Sequence, residues 1–253
     1  MIGKNTIKRL NSLSLKKYRN KEQLFLVEGD KMVSEMLHSQ FSVSELYCTE
    51  EFEAQLRQNH AALPKTTRVT HDELKKISRL KTPQNSLALC QMPEQASLPQ
   101  TLNEPLYLYL DGIQDPGNLG TIVRLCDWFG IHTIFCSGNT VDLYNPKVIQ
   151  ASMGSFMRVK VLECSLSELA QTAKKSGAVI YGAFMEGENV YQSELAPKAI
   201  LVMGNEGNGI GEATQKFIDR KISIPHFSDN NSQAESLNVS VATAILCSEF
   251  KRR

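Results

Sequence analysis

Apolar and polar positions change period along this chain, and the changes mark its elements. Residues 5–19 read as a basic helix, and residues 24–28 as a strand that ends in a turn at Gly29, with Asp30 placed to cap the helix that follows. A strand over 45–49, a helix over 50–62, a strand over 67–70, a helix over 72–80 and a strand over 86–92 complete a compact α/β unit. Residues 93–105, PEQASLPQTLNEP, carry three prolines and no apolar periodicity, and read as a linker.

From Leu106 the alternation of strand and helix is clearer. Strands are predicted over 107–113, 133–137, 158–163, 179–185, 199–204 and 221–225. Several are continuous apolar runs, the pattern of strands buried on both faces of a parallel sheet. Helices are predicted over 118–129, 145–155, 165–176, 210–219 and 237–250, with Asn145-Pro146 as an N-cap and first-turn pair. The division is therefore 1–92, a linker over 93–105, and 106–253.

Composition narrows the class without naming a function. The chain has 253 residues, 42% hydrophobic and 22% charged, which suits a soluble globular protein of one or two domains. No apolar run approaches the roughly 20 residues needed to span a bilayer, so no membrane role is expected. Six scattered cysteines without a CxxC or a Cys/His cluster argue against a disulfide framework and a metal site, and point to a reducing cytoplasm. Net charge is only +1, but its distribution is uneven. Lys4, Lys8, Arg9, Lys16, Lys17, Arg19 and Lys21 all precede the first acid, Glu22, and Lys75, Lys76, Arg79 and Lys81 form a second cluster. Such clusters are footprints of phosphate contact, or simply solvated helix faces. A transit peptide is the least favoured reading of the N-terminus.

Three segments carry candidate chemistry. The first, Asp111 to Arg124, is a polar loop that opens a helix; it is either a ligand site at a helix N-terminus or a tight turn punctuated by glycine. The second is Gly204-Asn205-Glu206-Gly207-Asn208-Gly209-Ile210-Gly211. It fails as a P-loop, because Ile210 and Gly211 stand where Lys and Ser/Thr belong, and as a dinucleotide fingerprint, because Glu212 replaces the third glycine. Glu206 would repel phosphate, so the loop suits a ligand with hydroxyls, amines or positive charge. The third, Ser236-Leu237-Asn238-Val239-Ser240, begins the last helix with Ser236 as the expected N-cap. The five histidines are isolated, and no hydrolase elbow is present.

Taken in order, Asn118-Leu-Gly-Thr-Ile-Val-Arg124, Met203-Gly-Asn-Glu206-Gly and Ile224-Pro…Ser236-Leu-Asn238-Val-Ser240 resemble the SpoU (TrmH) family of RNA ribose 2′-O-methyltransferases, over about residues 106–250. Phe25-Leu-Val-Glu-Gly29 and Thr82-Pro-Gln-Asn-Ser-Leu-Ala88 resemble an L30e-like substrate-binding domain. The resemblance implies an α/β-knot fold with a mainly parallel sheet and a deep trefoil knot, which general rules of chain topology would reject. It implies S-adenosylmethionine (SAM) as methyl donor, no metal, and a homodimer. It assigns Asn118, Arg124, Glu206, Ser236 and Asn238 to catalysis, and Gly204, Asn205, Ile224 and Leu237 to SAM. Lys8, Arg9, Lys16, Lys17, Arg19 and Arg124 are the residues expected to meet RNA. Residues 226–235, HFSDNNSQAE, depart from the family by length and polarity, and an enlarged loop is expected there.

A methyltransferase acting on ribosomal RNA is the leading expectation, with transfer RNA as the alternative substrate. A non-catalytic RNA-binding or ribosome-assembly protein on the same fold is the rival from another class. A Rossmann oxidoreductase is opposed by the failed fingerprint.

Overall fold

A computed structural model of the chain describes residues 2–59, 62–94, 96–227 and 236–253. In chain order the elements are α1 (Lys4–Ser12), α2 (Lys16–Glu22), β1 (Leu24–Glu28), α3 (Asp30–Leu37), β2 (Val43–Cys48), α4 (Glu50–Asn59), β3 (Lys65–Arg68), α5 (His71–Ile77) and β4 (Ser86–Gln91). There follow β5 (Leu106–Asp111), α6 (Pro116–Trp128), β6 (Thr133–Cys136), α7 (Pro146–Ser152), β7 (Lys160–Glu163), α8 (Leu166–Ser176), β8 (Val179–Asn189), β9 (Ala199–Gly204), α9 (Glu212–Gln215), β10 (Arg220–Ser223) and α10 (Val239–Arg252). Two compact units result, one of residues 1–94 with 142–157, the other of 95–141 with 158–253.

The first unit is built on a four-stranded sheet of order β1-β4-β2-β3, antiparallel except for the β2–β3 pair. Strand β1 is buried along its whole length, which its unbroken apolar run required. Leu24 and Leu26 pack with Leu10, Leu13, Leu74 and Ile77. Phe25 meets Phe41, Tyr144 and Phe156 at ring-centroid distances of 5.9, 4.6 and 6.1 Å. Two of those rings belong to residues 142–157, which lie far along the chain from the proline-rich linker. These aromatic contacts draw the segment into the first unit, where a division at the linker alone would leave it with the second.

The expected basic helix over 5–19 is two helices. The break serves Arg19, which is only 2% exposed. Its Nη1 donates to the carbonyls of Leu13 (2.8 Å) and Ser14 (2.9 Å), both in the break, and its Nε and Nη2 donate to Asp142. An unbroken helix would have kept those carbonyls for its own ladder. Asp30 does not cap α3, whose N-cap is Gly29 at φ +104°. Its carboxylate instead accepts from Asn85 N, Asn85 Nδ2 and Ser86 Oγ at 2.9, 2.7 and 2.8 Å, joining the end of β1 to the start of β4.

The second unit is a six-stranded sheet of order β10-β8-β9-β5-β6-β7, and every pairing in it is parallel. On one face α8 closes a core of Tyr107, Tyr109, Phe135, Leu169, Ile180, Ile200 and Val202. Its boundaries follow from a Ser165–Glu168 capping box and a left-handed C-cap at Gly177. Elsewhere in the unit α10 packs against α6 and β9. The expected helix over 210–219 shrinks to α9, because Asp219 is drawn to the sheet: its N–H donates to the Ile180 carbonyl (2.9 Å) and its Oδ2 accepts from Ile180 N (2.8 Å).

Candidate active site

One pair of adjacent strands, β9 and β5, sends its outgoing connections to opposite sides of the sheet, and the three motif segments gather there. β5 and β9 are neighbours, with Asp111 opposite Gly204. The connection leaving β5 leads to β6 on one side, and that leaving β9 leads to β10 on the other. Two loops diverging from adjacent parallel strands open a crevice at the carboxyl ends, the usual ligand position in such sheets.

The loop after β9 is a closed turn. Asn205 and Gly209 exchange two backbone hydrogen bonds of 2.9 Å, and the Asn205 Oδ1 accepts from Gly207 N (2.9 Å) and Asn208 N (3.1 Å). Gly204 has no room for a side chain: a Cβ there would lie 2.3 Å from the Gly209 carbonyl carbon and 2.5 Å from Ile210 N. Two tethers tie this loop to the one after β5, Asn205 Nδ2 to the Gly112 carbonyl (2.7 Å) and Gly211 N to Asp111 Oδ2 (2.9 Å).

Across the crevice, Asp115 caps α6 by accepting from Asn118 N (2.8 Å), with Pro116 in the first turn. The N-cap of α10 is Asn238, not Ser236 as expected from sequence. Asn238 Oδ1 accepts from Ser240 N (3.0 Å), Ser240 Oγ (2.6 Å) and Val241 N (3.3 Å). A carboxamide caps with its oxygen and gives its N–H₂ elsewhere from a separate atom, whereas a serine hydroxyl must accept and donate at one oxygen.

That second end organises the site. Asn238 Nδ2 donates to Asn118 Oδ1 (3.0 Å), and Asn118 Nδ2 donates to Glu206 Oε1 (2.8 Å). The direction of this chain is dictated from one end. The backbone N–H groups of α10 require an acceptor, so the Asn238 oxygen faces the helix and its nitrogen faces Asn118. The Asn118 nitrogen must then face the carboxylate. Helices α6 and α10 also run side by side in the same direction, since Lys251 Nζ reaches the Gly130 carbonyl (3.4 Å) at their other ends. Both positive N-terminal ends therefore lie on the side of Glu206. Cys126 and Cys247, buried on these helices, have their thiols pushed up by burial, Cys247 to about 12, and serve as small apolar groups.

The remaining expected residues are distributed differently. Ser236 is exposed, two residues before the cap. Arg124 is exposed and forms no hydrogen bond or ion pair with the described residues. Six residues beyond Asn118, it lies about 240° further round the helix, in one outer stripe with Thr121 and Trp128. Trp128 is 84% exposed. The structure thus unites Asn118, Glu206 and Asn238, and leaves Arg124 and Ser236 outside that trio. Asp111 and Asp115, which are not among the residues expected from sequence, hold the loops; an acid at a strand end and another directly before Pro were the available signals.

For SAM, the fit is chemical. Half-buried Ile224 and Pro225 after β10, and Leu237 at 49% exposed directly before Asn238, are the apolar residues of the motif segments that also carry the polar trio. This is the usual mix for a small-molecule site, and the Glu206 carboxylate suits a cationic sulfonium. Asn205, expected among the cofactor contacts, has its carboxamide committed within the protein. An open cleft of about 540 Å³ at the ends of β5, β6 and β7 is lined by Asp111, Glu163, Glu168 and Phe217, and by none of Gly204, Asn205, Ile224 or Leu237. It is a neighbour of the crevice, not the expected cofactor site. Of the polar stretch 226–235, residues 228–235 lie outside the described residues. Among the described residues no group of His, Cys, Asp and Glu could hold a metal ion, and no helix is long and apolar enough to cross a membrane.

In the first unit, Lys8, Lys16 and Lys17 are exposed as expected. Arg9 pairs with Glu22 (2.7 Å) and Glu45 (3.5 Å). Arg19 is removed from any RNA surface by its burial.

Comparison with known proteins bears directly on this arrangement. Residues 105–248 match the SpoU rRNA Methylase family, and residues 4–88 match the MRM3-like substrate binding domain. The chain is 31% identical over 241 residues to the 23S rRNA (guanosine(2553)-2'-O)-methyltransferase RlmP of Bacillus subtilis, covering 95% of this chain and 93% of that protein. It is 32% identical over 155 residues to the 23S rRNA (guanosine-2'-O-)-methyltransferase RlmB of Escherichia coli, covering 60% of this chain and 62% of that one. Among solved structures, a Porphyromonas gingivalis protein assigned to the TrmH family of RNA methyltransferases superposes with a TM-score of 0.88 at 39% identity, over 100% of this chain and 99% of that one. An AdoMet-bound rRNA methyltransferase from Sinorhizobium meliloti shares the fold, with a TM-score of 0.85 at 24% identity, over 100% and 96% of the two chains. A parallel sheet that gathers Asn118, Glu206 and Asn238 where the connections leaving β5 and β9 diverge, on a chain matching that family from 105 to 248, makes this protein a member of the SpoU rRNA methylase family.

Proposed function

We propose that this protein transfers a methyl group from SAM to the ribose 2′-oxygen of a guanosine in 23S ribosomal RNA. The observation that carries the reading is the directed chain Asn238 to Asn118 to Glu206 where the connections leaving β5 and β9 diverge. The names of the relatives support the substrate class. When bound, SAM supplies an electrophilic methyl group for in-line attack.

The protein's own contribution is positional, which alone can supply several kcal/mol of a barrier. Glu206 and the asparagine pair hold the two motif loops and present a carboxylate to the crevice. Arg124, an exposed cation, binds the phosphate beside the target and orients the 2′-hydroxyl. Incubating the purified protein with labelled SAM and total RNA from cells lacking the gene, then mapping 2′-O-methyl positions, tests the reading. One methylated guanosine is expected; label in transfer RNA alone, or none at all, would refute it.

A homodimer fits the outer face of α6 and α10. Trp128 at 84% exposed and Val241 at 48% are apolar groups that a partner would cover. Arg124 lies in the same stripe, so pairing through this face would carry it to the site of the second subunit.

The first unit offers one basic face rather than a basic run. Lys4, Lys8 and Asn11 share a stripe of α1. Asn11 Nδ2 donates to the Lys76 carbonyl (3.0 Å), and the Arg79 guanidinium donates to the Asn11 carbonyl. The two clusters thus meet, although 65 residues separate Asn11 from Lys76. RNA phosphates are the partner this charge suits. Lys8→Glu combined with Arg79→Glu should weaken binding of 23S rRNA and lower its salt slope by about one for each phosphate that is no longer neutralised. SAM affinity, read by calorimetry, should not change.

A further inference from the structure

We propose that Asn205 is a positioning residue that holds Glu206 against Asn118 by stapling the β9–α9 loop to the Gly112 carbonyl. The proposal rests on the reading of Glu206 given above. It replaces the sequence-based expectation that Asn205 contacts the cofactor.

The Asn205 carboxamide has little left to offer a ligand. Its oxygen accepts from Gly207 N and Asn208 N, using both lone pairs, and its nitrogen donates to the Gly112 carbonyl at 2.7 Å. Glu206 follows directly and forms the first corner of the turn closed by the Asn205–Gly209 pair. The Asp111–Gly211 bond tethers the far end of the same turn. Both anchors, Asp111 and Gly112, begin the loop that leads to Asp115 and Asn118. The separation of Glu206 from Asn118 is therefore fixed through a short covalent and hydrogen-bonded ring, and not by their own single 2.8 Å bond.

The residue type matches the task. Asp at 205 would keep the turn-forming acceptor but could not donate to a carbonyl. Ser would be too short to serve both ends. Only a carboxamide closes the turn and staples it to the neighbouring loop.

The test uses the full chain, SAM and 23S rRNA from cells lacking the gene. Asn205→Ala and Asn205→Asp should each lower kcat about tenfold or more, since a displacement near 1 Å in a site can cost about a hundredfold. The dissociation constant of SAM, measured by calorimetry, should stay within about threefold, as for a residue that does not touch it. In an E206A background, followed by single-turnover transfer of labelled methyl, N205A should cost nothing further, because two residues acting through one contact are not additive. The side-chain amide resonance of Asn118 should move in N205A as its carboxylate partner is released. A loss explained by weaker SAM binding at unchanged kcat would overturn the staple, as would full activity of N205A or an equal loss in the E206A background. Should E206A itself be fully active, the catalytic reading of Glu206 fails, and the staple then stands or falls on the Asn118 resonance.

Discussion

Asn118→Ala should lower methyl transfer about a hundredfold or more, the size of effect seen when one preorganised donor is lost from an active site. Asn118 is the middle of a chain that begins on the helix N–H groups of α10 and ends on Glu206. Removing it breaks both bonds at once, leaving Asn238 Nδ2 and the Glu206 carboxylate each without its Asn118 partner. Asn118→Asp should be at least as damaging, because it sets a second carboxylate against Glu206. Folding should survive, since Asp115 caps α6 through the backbone N–H of residue 118, which any side chain retains. The same variant tests the proposed dimer. Arg124→Ala should also be nearly inactive, and mixing it with Asn118→Ala should restore about a quarter of wild-type sites if Arg124 serves the opposite subunit of a two-fold dimer. No recovery on mixing, with subunit exchange verified by mass, would confine Arg124 to its own subunit or remove it from the reaction.

Arg19→Ala should destabilise the first unit by about 3–5 kcal/mol, the cost of leaving one member of a buried ion pair alone. Arg19 is 2% and Asp142 13% exposed, and the same guanidinium satisfies the carbonyls of Leu13 and Ser14. Its loss orphans a carboxylate and two carbonyls at the junction of α1 and α2, and loosens residues 142–157, which Asp142 begins. A fall of about 10 °C or more in the melting transition is expected for a unit of this size. Arg19→Met with Asp142→Leu should regain much of that loss, because apolar replacement of a buried pair is often neutral. If Arg19→Ala melts with the wild type and only RNA affinity falls, the surface role expected from sequence is right and the buried role is wrong.

Arg19 also marks the limit of what local pattern can tell. In sequence it is one of seven cations ahead of Glu22, and nothing local distinguishes it from Lys16 or Lys17. Its fate depends on Asp142, 123 residues away, and on a helix break that exists to free two carbonyls. The same holds for Tyr144 and Phe156, whose rings complete the core around Phe25 although the proline-rich linker draws a boundary between them. At the site, the glycine and polar character of 204–211 was legible, because a strand end that needs Gly204 and ends an apolar run is a local fact. The sequence places the cap of α10 two residues early: Ser236 and Asn238 are both good caps by type, and only the position of Asn118 favours the residue whose donor and acceptor sit on separate atoms facing opposite ways.

What the sequence determined by itself are features set by local periodicity and chemistry. Continuous apolar strands alternating with helices required a parallel sheet, the missing Lys and third glycine excluded a phosphate loop, and three ordered motifs pointed to the methylase family. What only the tertiary structure decided are pairings across long separations. Asn238 meets Asn118 across 120 residues and Asn118 meets Glu206 across 88, while Arg124, on the same helix as Asn118, faces away. The reason is that a hydrogen bond depends on position to within a few tenths of an ångström, and that position is fixed by sheet order and helix packing, which spacing along the chain does not encode.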